Sequence, residues 1–307
     1  MILQTGMRTD IPAFYSEWFM NRIKEGYVLV RNPYYPEQVT RYEINTNVVD
    51  LIAFCTKNPI PMMKYIEKLK AYGQYWFVTI TPYGKDLEPN VPDKNIVIKC
   101  FRELSGIIGI TSMGWRYDPV IVSKKYTVDY HISAFEKIAS QLYGCTETCI
   151  ISFVDLYEKV RRNAPEIREV TPSEQITLAK AFAEIGSRYG IKVKGCHEDH
   201  TLAEYGIDIS GCLNRSVYEK ALGISLDMPK RRSQRECSCF FGTDIGAYNS
   251  CGHLCRYCYA NADTAVVKRN MSRHDPNSPF LIGGSLPNDI IRNAEQHSYI
   301  DEQLSLF

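Results

Sequence analysis

The chain has 307 residues, 45% hydrophobic and 23% charged, the composition of a folded globular protein rather than a disordered or fibrous one. Its formal net charge of +1 excludes a global field that would draw it to nucleic acid or a membrane surface, so any such binding has to be local. No apolar run approaches the roughly 20 residues of a membrane span, and MILQTGMRTDIP at residues 1–12 lacks the pattern of a secretory signal, so a cytoplasmic location is expected.

Along the chain, short apolar runs alternate with amphipathic stretches, the rhythm of βα units. Strands are expected at ILQTG from Ile2, YVLV from Tyr27, DLIAFC from Asp50 and YWFVTI from Tyr75. TSMGWR from Thr111, TCIISFV from Thr148, IKVKGC from Ile191 and GIDISG from Gly206 continue the series. Asp129 is placed to cap a helix that Gly144 stops. Thr171, Pro172 and Glu174 form a capping box that opens a second helix, ending before Gly190. Eight strands, most followed by a helix, imply a (β/α)8 TIM-type barrel, complete or partial, over residues 1–229.

Chemistry in such a barrel gathers at the C-terminal ends of the strands. Polar residues recur at that phase: Arg8 and Asp10, Arg31 and Asn32, Lys57 and Asn58, Thr81 and Tyr83, Arg116 and Asp118, Asp155, then His197 and Glu198. Singly, each reads as loop polarity or a helix cap, as Asp10 does. Together they describe a polar pocket.

From Lys230 the composition changes. A basic run of Lys230, Arg231, Arg232 and Arg235 reads as a solvated turn or a site for phosphate or a negatively charged cluster. The cysteine-rich stretch that follows belongs to residues 230–307, a region too small for a good core of its own without a metal or a staple. It is expected to pack on the barrel as an iron–sulfur appendage.

Eleven cysteines without a secretion signal point to metal rather than to disulfides. Cys251, Cys255 and Cys258 lie within the eight residues CGHLCRYC. Structural zinc takes four ligands, usually from CxxC pairs. Here Cys255 and Cys258 form one such pair, Cys251 is a third ligand, and the fourth position is open unless Cys237 or Cys239 fills it. Thiolates also hold iron–sulfur clusters, where an open iron is chemically useful.

Cys251-x-x-x-Cys255-x-Tyr257-Cys258 resembles the radical S-adenosylmethionine signature, including the aromatic residue before the last cysteine. The resemblance implies a 4Fe–4S cluster on these three thiolates, with S-adenosylmethionine on the fourth iron and Tyr257 near its adenine. It also implies a reductant such as a flavodoxin or ferredoxin, and a 5′-deoxyadenosyl radical that abstracts hydrogen. Arg116, Asp118, Asp155 and Glu198 are then the expected cofactor or substrate contacts. In that superfamily the signature follows the first barrel strand, whereas only 49 residues follow Cys258 here. The order is therefore expected to be rearranged, with the barrel made first and the cluster loop closing over it. The glycine pair in Ile282 to Gly284 is the candidate for the superfamily's cofactor-binding Gly-Gly motif.

MRTDIPAFYSEWF, TKNP, WRYDP, ISFVDLYEK and CSCFFGTDIGAYNSCGHLCRYCYAN also resemble a bacterial family described as domain of unknown function 1848, over nearly the whole length.

Cys196, Cys212, Cys237 and Cys239 either form a second cluster or a zinc site, or are buried free thiols. Cys55 and Cys100 read as packing residues, Cys145 and Cys149 straddle a helix–strand turn, and none of the four is assigned to metal. His253, between the ligand cysteines, is a ligand, a donor to one, or a residue that bonds the loop. The terminal Gln303, Leu304, Ser305, Leu306 and Phe307 resemble the peptide that docks bacterial repair proteins on the sliding DNA clamp, and packing on the chain's own barrel is the other reading. The clamp reading implies nucleic-acid repair or modification. Two other classes stay open: a zinc-stabilised hydrolase or binding module, and an electron-transfer or DNA-associated iron–sulfur protein.

Overall fold

A computed structural model describes residues 1–229 and 239–300. Ten strands are present: β1 (Ile2–Gln4), β2 (Tyr27–Arg31), β3 (Gln38–Glu43), β4 (Leu51–Thr56), β5 (Gly73–Thr79), β6 (Met113–Val120), β7 (Thr148–Phe153), β8 (Lys192–Gly195), β9 (Thr243–Asp244) and β10 (Ile290–Asn293). The strands β4, β5 and β7 are buried along nearly their whole length because a parallel sheet is covered on both faces, which is why their sequences read as continuous apolar runs.

Seven strands form one sheet in the order β8-β7-β6-β5-β4-β1-β9, and every neighbouring pair is parallel. From β1 to β8 the neighbours follow chain order, so the winding never reverses. Helices between the strands cover the sheet; Val128–Leu142 and Pro172–Arg188 pack on each other. The core is aromatic: Phe54 stacks on Trp76 at 4.0 Å, and Phe135 stacks between Trp115 at 4.7 Å and Phe182 at 4.2 Å. Each such buried ring withdraws roughly 150–250 Å² from water, on the order of 4–6 kcal/mol before the entropy of ordering is counted.

Several expectations are corrected. The run from Tyr27 does form a strand, but β2 pairs antiparallel with β3, and β10 completes a separate sheet of order β10-β3-β2. Gly26 caps the preceding helix in the left-handed region (φ 78°) and leads directly into the β2–β3 hairpin. That small sheet takes Arg31 and Asn32 out of the polar edge, since Arg31 pairs with Asp289. GIDISG contributes only a single parallel bridge, Lys194 to Asp208. The place beside β1 goes instead to β9, from within the cysteine-rich stretch. Among the described residues no strand ladder joins β8 to β9; the Phe240 amide donating to Leu213 O at 2.7 Å spans part of that side. The helix expected to be capped by Asp129 begins two residues earlier, because the cap is Thr127, whose side chain accepts the Tyr130 amide. The capping box at Thr171 and Glu174 is present.

Residues 239–300 are bonded at several points to the first sixty. Trp18 Nε1 donates to Ser278 O at 2.9 Å, and Asp50 takes the Met1 ammonium, the Ser298 hydroxyl and the Tyr299 amide. Among the described residues no helix is long and apolar enough to cross a membrane. Lys230, Arg231, Arg232, Arg235, Cys237 and the clamp-like tail Gln303 to Phe307 lie outside the described residues.

Candidate metal centre at the C-terminal edge of the sheet

In a parallel sheet all strand C-termini share one edge, where turns are free to carry side chains of any kind. Asp10 follows β1, Lys57 follows β4, Thr81 and Glu88 follow β5, and Cys196 and Glu198 follow β8. Arg116 lies at the middle of β6 and Asp118 in its second half, and Asp155 follows β7. The cysteine loop leaves the same edge after β9.

Residues outside the motif set the loop in place. Asn90 Nδ2 donates to Gly252 O at 2.8 Å, and its amide donates to His253 O at 3.2 Å. The Arg256 amide donates to Leu87 O, while its guanidinium pairs with Glu166 at 2.6 Å. His253 Nε2 lies 2.9 Å from Asp10 Oδ2, and the same carboxylate caps a helix through the Ala13 amide and accepts the Lys57 amide. Gly252 is required by close approach: a Cβ there would lie 2.8 Å from the Phe14 ring. Leu254, just before Cys255, holds φ at 56°, a left-handed conformation costly for a bulky residue and typical of over-determined functional turns.

Cys255 is buried, and Cys251 and Cys258 are half-buried. Burial pushes the Cys251 thiol up, and Asp10 and the two neighbouring cysteines add to the rise. Burial likewise pushes Cys255 up to about 12, with Lys57 opposing. Without a cation Cys251 and Cys255 are therefore held as neutral thiols, and a metal would displace their protons. Among the described residues no sulfur–sulfur hydrogen bond joins the three. One buried and two half-buried thiols thus share this turn with a lysine beside Cys255, although among the described residues no three His, Cys, Asp or Glu side chains stand in a metal-holding arrangement.

Glu88, which sequence reasoning missed, organises the floor beneath the loop. Its carboxylate accepts from Lys57 Nζ at 2.7 Å, Thr81 Oγ1 at 2.7 Å, Lys94 and the Tyr257 hydroxyl. Burial alone would raise its pKa, but Lys57 and Lys94 outweigh that and hold it down at about 2. Lys57 also lies 5.7 Å from the Tyr257 ring centroid, in cation–π range. Nothing in KDLEPNVPDK marks this glutamate, because two of its partners, Lys57 and Tyr257, come from the turn after β4 and from the cysteine loop.

The structure brings Arg116, Asp118 and Glu198 to one neighbourhood. Arg116 pairs with Asp118, which also takes the Ser152 hydroxyl, and Arg116 Nη1 lies 3.4 Å from Cys55 Sγ. Cys55 thus serves more than core packing. Arg116 Nε is buried and without a partner among the described residues. Glu198 accepts the Phe153 amide at 2.8 Å; burial pushes it up to about 8, with Asp118 and Asp155 adding to the rise. Asp155 itself is exposed and takes the Tyr157 hydroxyl. The glycine pair at 283–284 is held by Arg31 and Arg273 beside the small sheet.

Cys196, Cys212 and Cys239 meet: the Cys196–Cys212 and Cys212–Cys239 sulfurs are both 3.5 Å apart. The Cys212 amide donates to Cys239 Sγ at 3.2 Å. Donation from Cys196 and Cys212 draws the Cys239 thiol below its ordinary value. Cys237, the fourth of this expected set, lies outside the described residues. Cys100 and Cys149 are buried in the core, and Cys145 is half-buried at a turn.

No curated protein and no solved structure matches the chain significantly. One family model does, over residues 2–260, from β1 through the last cysteine of the loop. The chain belongs to the family described as a domain of unknown function, DUF1848.

Proposed function

We propose that this protein is a radical S-adenosylmethionine-type iron–sulfur enzyme built on a (β/α) barrel, most of whose strands form the seven-stranded parallel sheet. The observation that carries the reading is the place of the cysteine loop. It leaves β9, and β9 lies beside β1 in parallel register, Leu3 opposite Thr243 and Gln4 opposite Asp244. Read from that edge, the sheet runs β9, β1, β4, β5, β6, β7, β8, with the cluster loop after its first member. The signature is late in the sequence and first in space, as in a circularly permuted barrel.

The donor set fits the group. Cys251, Cys255 and Cys258 would hold three irons of a 4Fe–4S cluster and leave the fourth for the amino and carboxylate groups of S-adenosylmethionine. When bound, the cluster and its cofactor supply an electron and a 5′-deoxyadenosyl radical able to abstract hydrogen. The chain supplies position and exclusion of water. Glu88, Lys57 and Thr81 fix Tyr257 at the edge, where its buried ring offers an apolar wall for the adenine. Lys57 offsets negative charge accumulating beside Cys255. Arg116, with an unused buried N–H, and Asp118, Glu198 and Asp155 offer polar contacts to cofactor and substrate.

The test is anaerobic purification, iron and sulfide analysis, then reduction with dithionite in the presence of S-adenosylmethionine. Release of 5′-deoxyadenosine by the wild type, and its loss in Cys251→Ser, Cys255→Ser and Cys258→Ser, is the expected result. Iron-loaded protein that never cleaves S-adenosylmethionine would leave an electron-transfer protein instead. Zinc in place of iron at these three residues would sink both.

A further inference from the structure

The geometry points to a second, mononuclear metal site, for zinc, on Cys196, Cys212 and Cys239, separate from the cysteine loop. Three observations converge. First, the sulfur spacing suits one ion: four thiolates around tetrahedral zinc at about 2.3 Å stand roughly 3.8 Å from one another, and the two contacts here are 3.5 Å. A cubane cluster binds each thiolate to a different iron and so keeps them farther apart. Second, Cys239 Sγ already accepts the Cys212 amide at 3.2 Å, the backbone N–H to sulfur bond that orients and stabilises a metal-bound thiolate. Third, Cys212 and Cys239 are buried and Cys196 is half-buried, so the three sulfurs are withdrawn from bulk water.

The thiols touch rather than enclose a finished cage; among the described residues no three His, Cys, Asp or Glu side chains already stand in a metal-holding arrangement. The sulfurs need to separate by only a few tenths of an ångström to admit an ion, which side-chain rotation provides.

The location gives the site a purpose. Cys196 directly follows β8, Cys212 follows the segment whose Asp208 bridges to β8, and Cys239 stands just before β9. The three ligands therefore come from the two ends of the sheet, on the side where, among the described residues, no strand ladder joins β8 to β9. A metal there replaces the missing strand pairing with coordinate bonds and ties the cysteine loop's own strand to the far end of the sheet. Its binding free energy becomes folding free energy.

The test uses the full chain carrying Cys251→Ser, Cys255→Ser and Cys258→Ser together, so that the loop cannot contribute metal and failure of the radical reading does not enter. About one zinc per chain is expected to remain and to be released by a mercurial thiol reagent. Adding Cys239→Ser should remove that zinc and lower the melting temperature. Should that variant fail to fold, cobalt exchanged into the triple variant gives the answer, through intense sulfur-to-cobalt absorption and tetrahedral visible bands. A metal-free triple variant, zinc that survives Cys239→Ser, or iron and sulfide bound in place of zinc would each overturn the assignment.

Discussion

His253 Nε2 and Asp10 Oδ2 lie 2.9 Å apart, joining the cysteine loop to the turn after β1 across 243 residues of chain. The carboxylate is 7% exposed and the imidazole 2%, so the bond is shielded from water and salt. Asp10→Ala removes three acceptor functions at once: the helix cap, the Lys57 amide and His253. A loss of about 2–4 kcal/mol is expected in urea denaturation. Asp10→Asn keeps an oxygen for the cap and should lose less than half as much. An unchanged midpoint for Asp10→Ala would mean the loop is positioned by other contacts.

Glu88 is the costlier single change. Glu88→Gln leaves Lys57 and Lys94 facing a neutral amide in a buried site, and about 3–5 kcal/mol of destabilisation is expected. Tyr257→Phe removes one hydrogen bond to the same carboxylate and should cost about 1–2 kcal/mol. The double variant should fall short of the sum, because Glu88→Gln weakens the same bond that Tyr257→Phe removes. Strict additivity would show that the two side chains do not interact in solution.

His131 sets an acid limit on stability. It is buried with one ring nitrogen against the Tyr117 hydroxyl and the other against Ile121 O, and burial lowers its pKa from 6.5 to about 4. A base depressed on folding contributes stability that is fully present above pH 6.5 and lost as pH falls through 4, on the order of 3 kcal/mol in all. His131→Gln should therefore be less stable than wild type at pH 7, with the gap narrowing by pH 4. A gap of the same size at both pH values would rule out this contribution.

Gly252 tests whether the loop's approach to Phe14 matters to metal loading. An alanine Cβ would meet two ring atoms at 2.8 and 3.0 Å and Met271 Cε at 3.1 Å. Gly252→Ala should cost about 1–3 kcal/mol by overpacking and lower the iron content of anaerobically purified protein. Phe14→Leu in the same chain should restore both. Full iron content in Gly252→Ala would place the loop farther from Phe14 than described here.

Local signals carried part of this fold. The apolar runs of β4, β5 and β7 are strands because parallel pairing buries them on both faces, and the box of Thr171, Pro172 and Glu174 is a helix start wherever it occurs. The spacing of Cys251, Cys255 and Cys258 puts three thiols on one turn for the same local reason, since residues within an eight-residue stretch stay close without help from the rest of the chain. The contact of Cys196, Cys212 and Cys239 was open in the sequence and was decided by strands that bring distant turns together.

What tertiary structure alone decided is pairing over long separations. A strand's composition says that it is buried but not which edge it joins, so the run at Tyr27 counted as a sheet member until its hairpin with β3 placed it elsewhere. Two residues, Thr243 and Asp244, are too few to announce a strand, yet their pairing with β1 gives the late cysteine loop its place beside the start of the chain. Glu88 became visible only when Lys57, Lys94, Thr81 and Tyr257 closed around it, because the energy of a buried charge lies in its partners and not in its own neighbours along the chain.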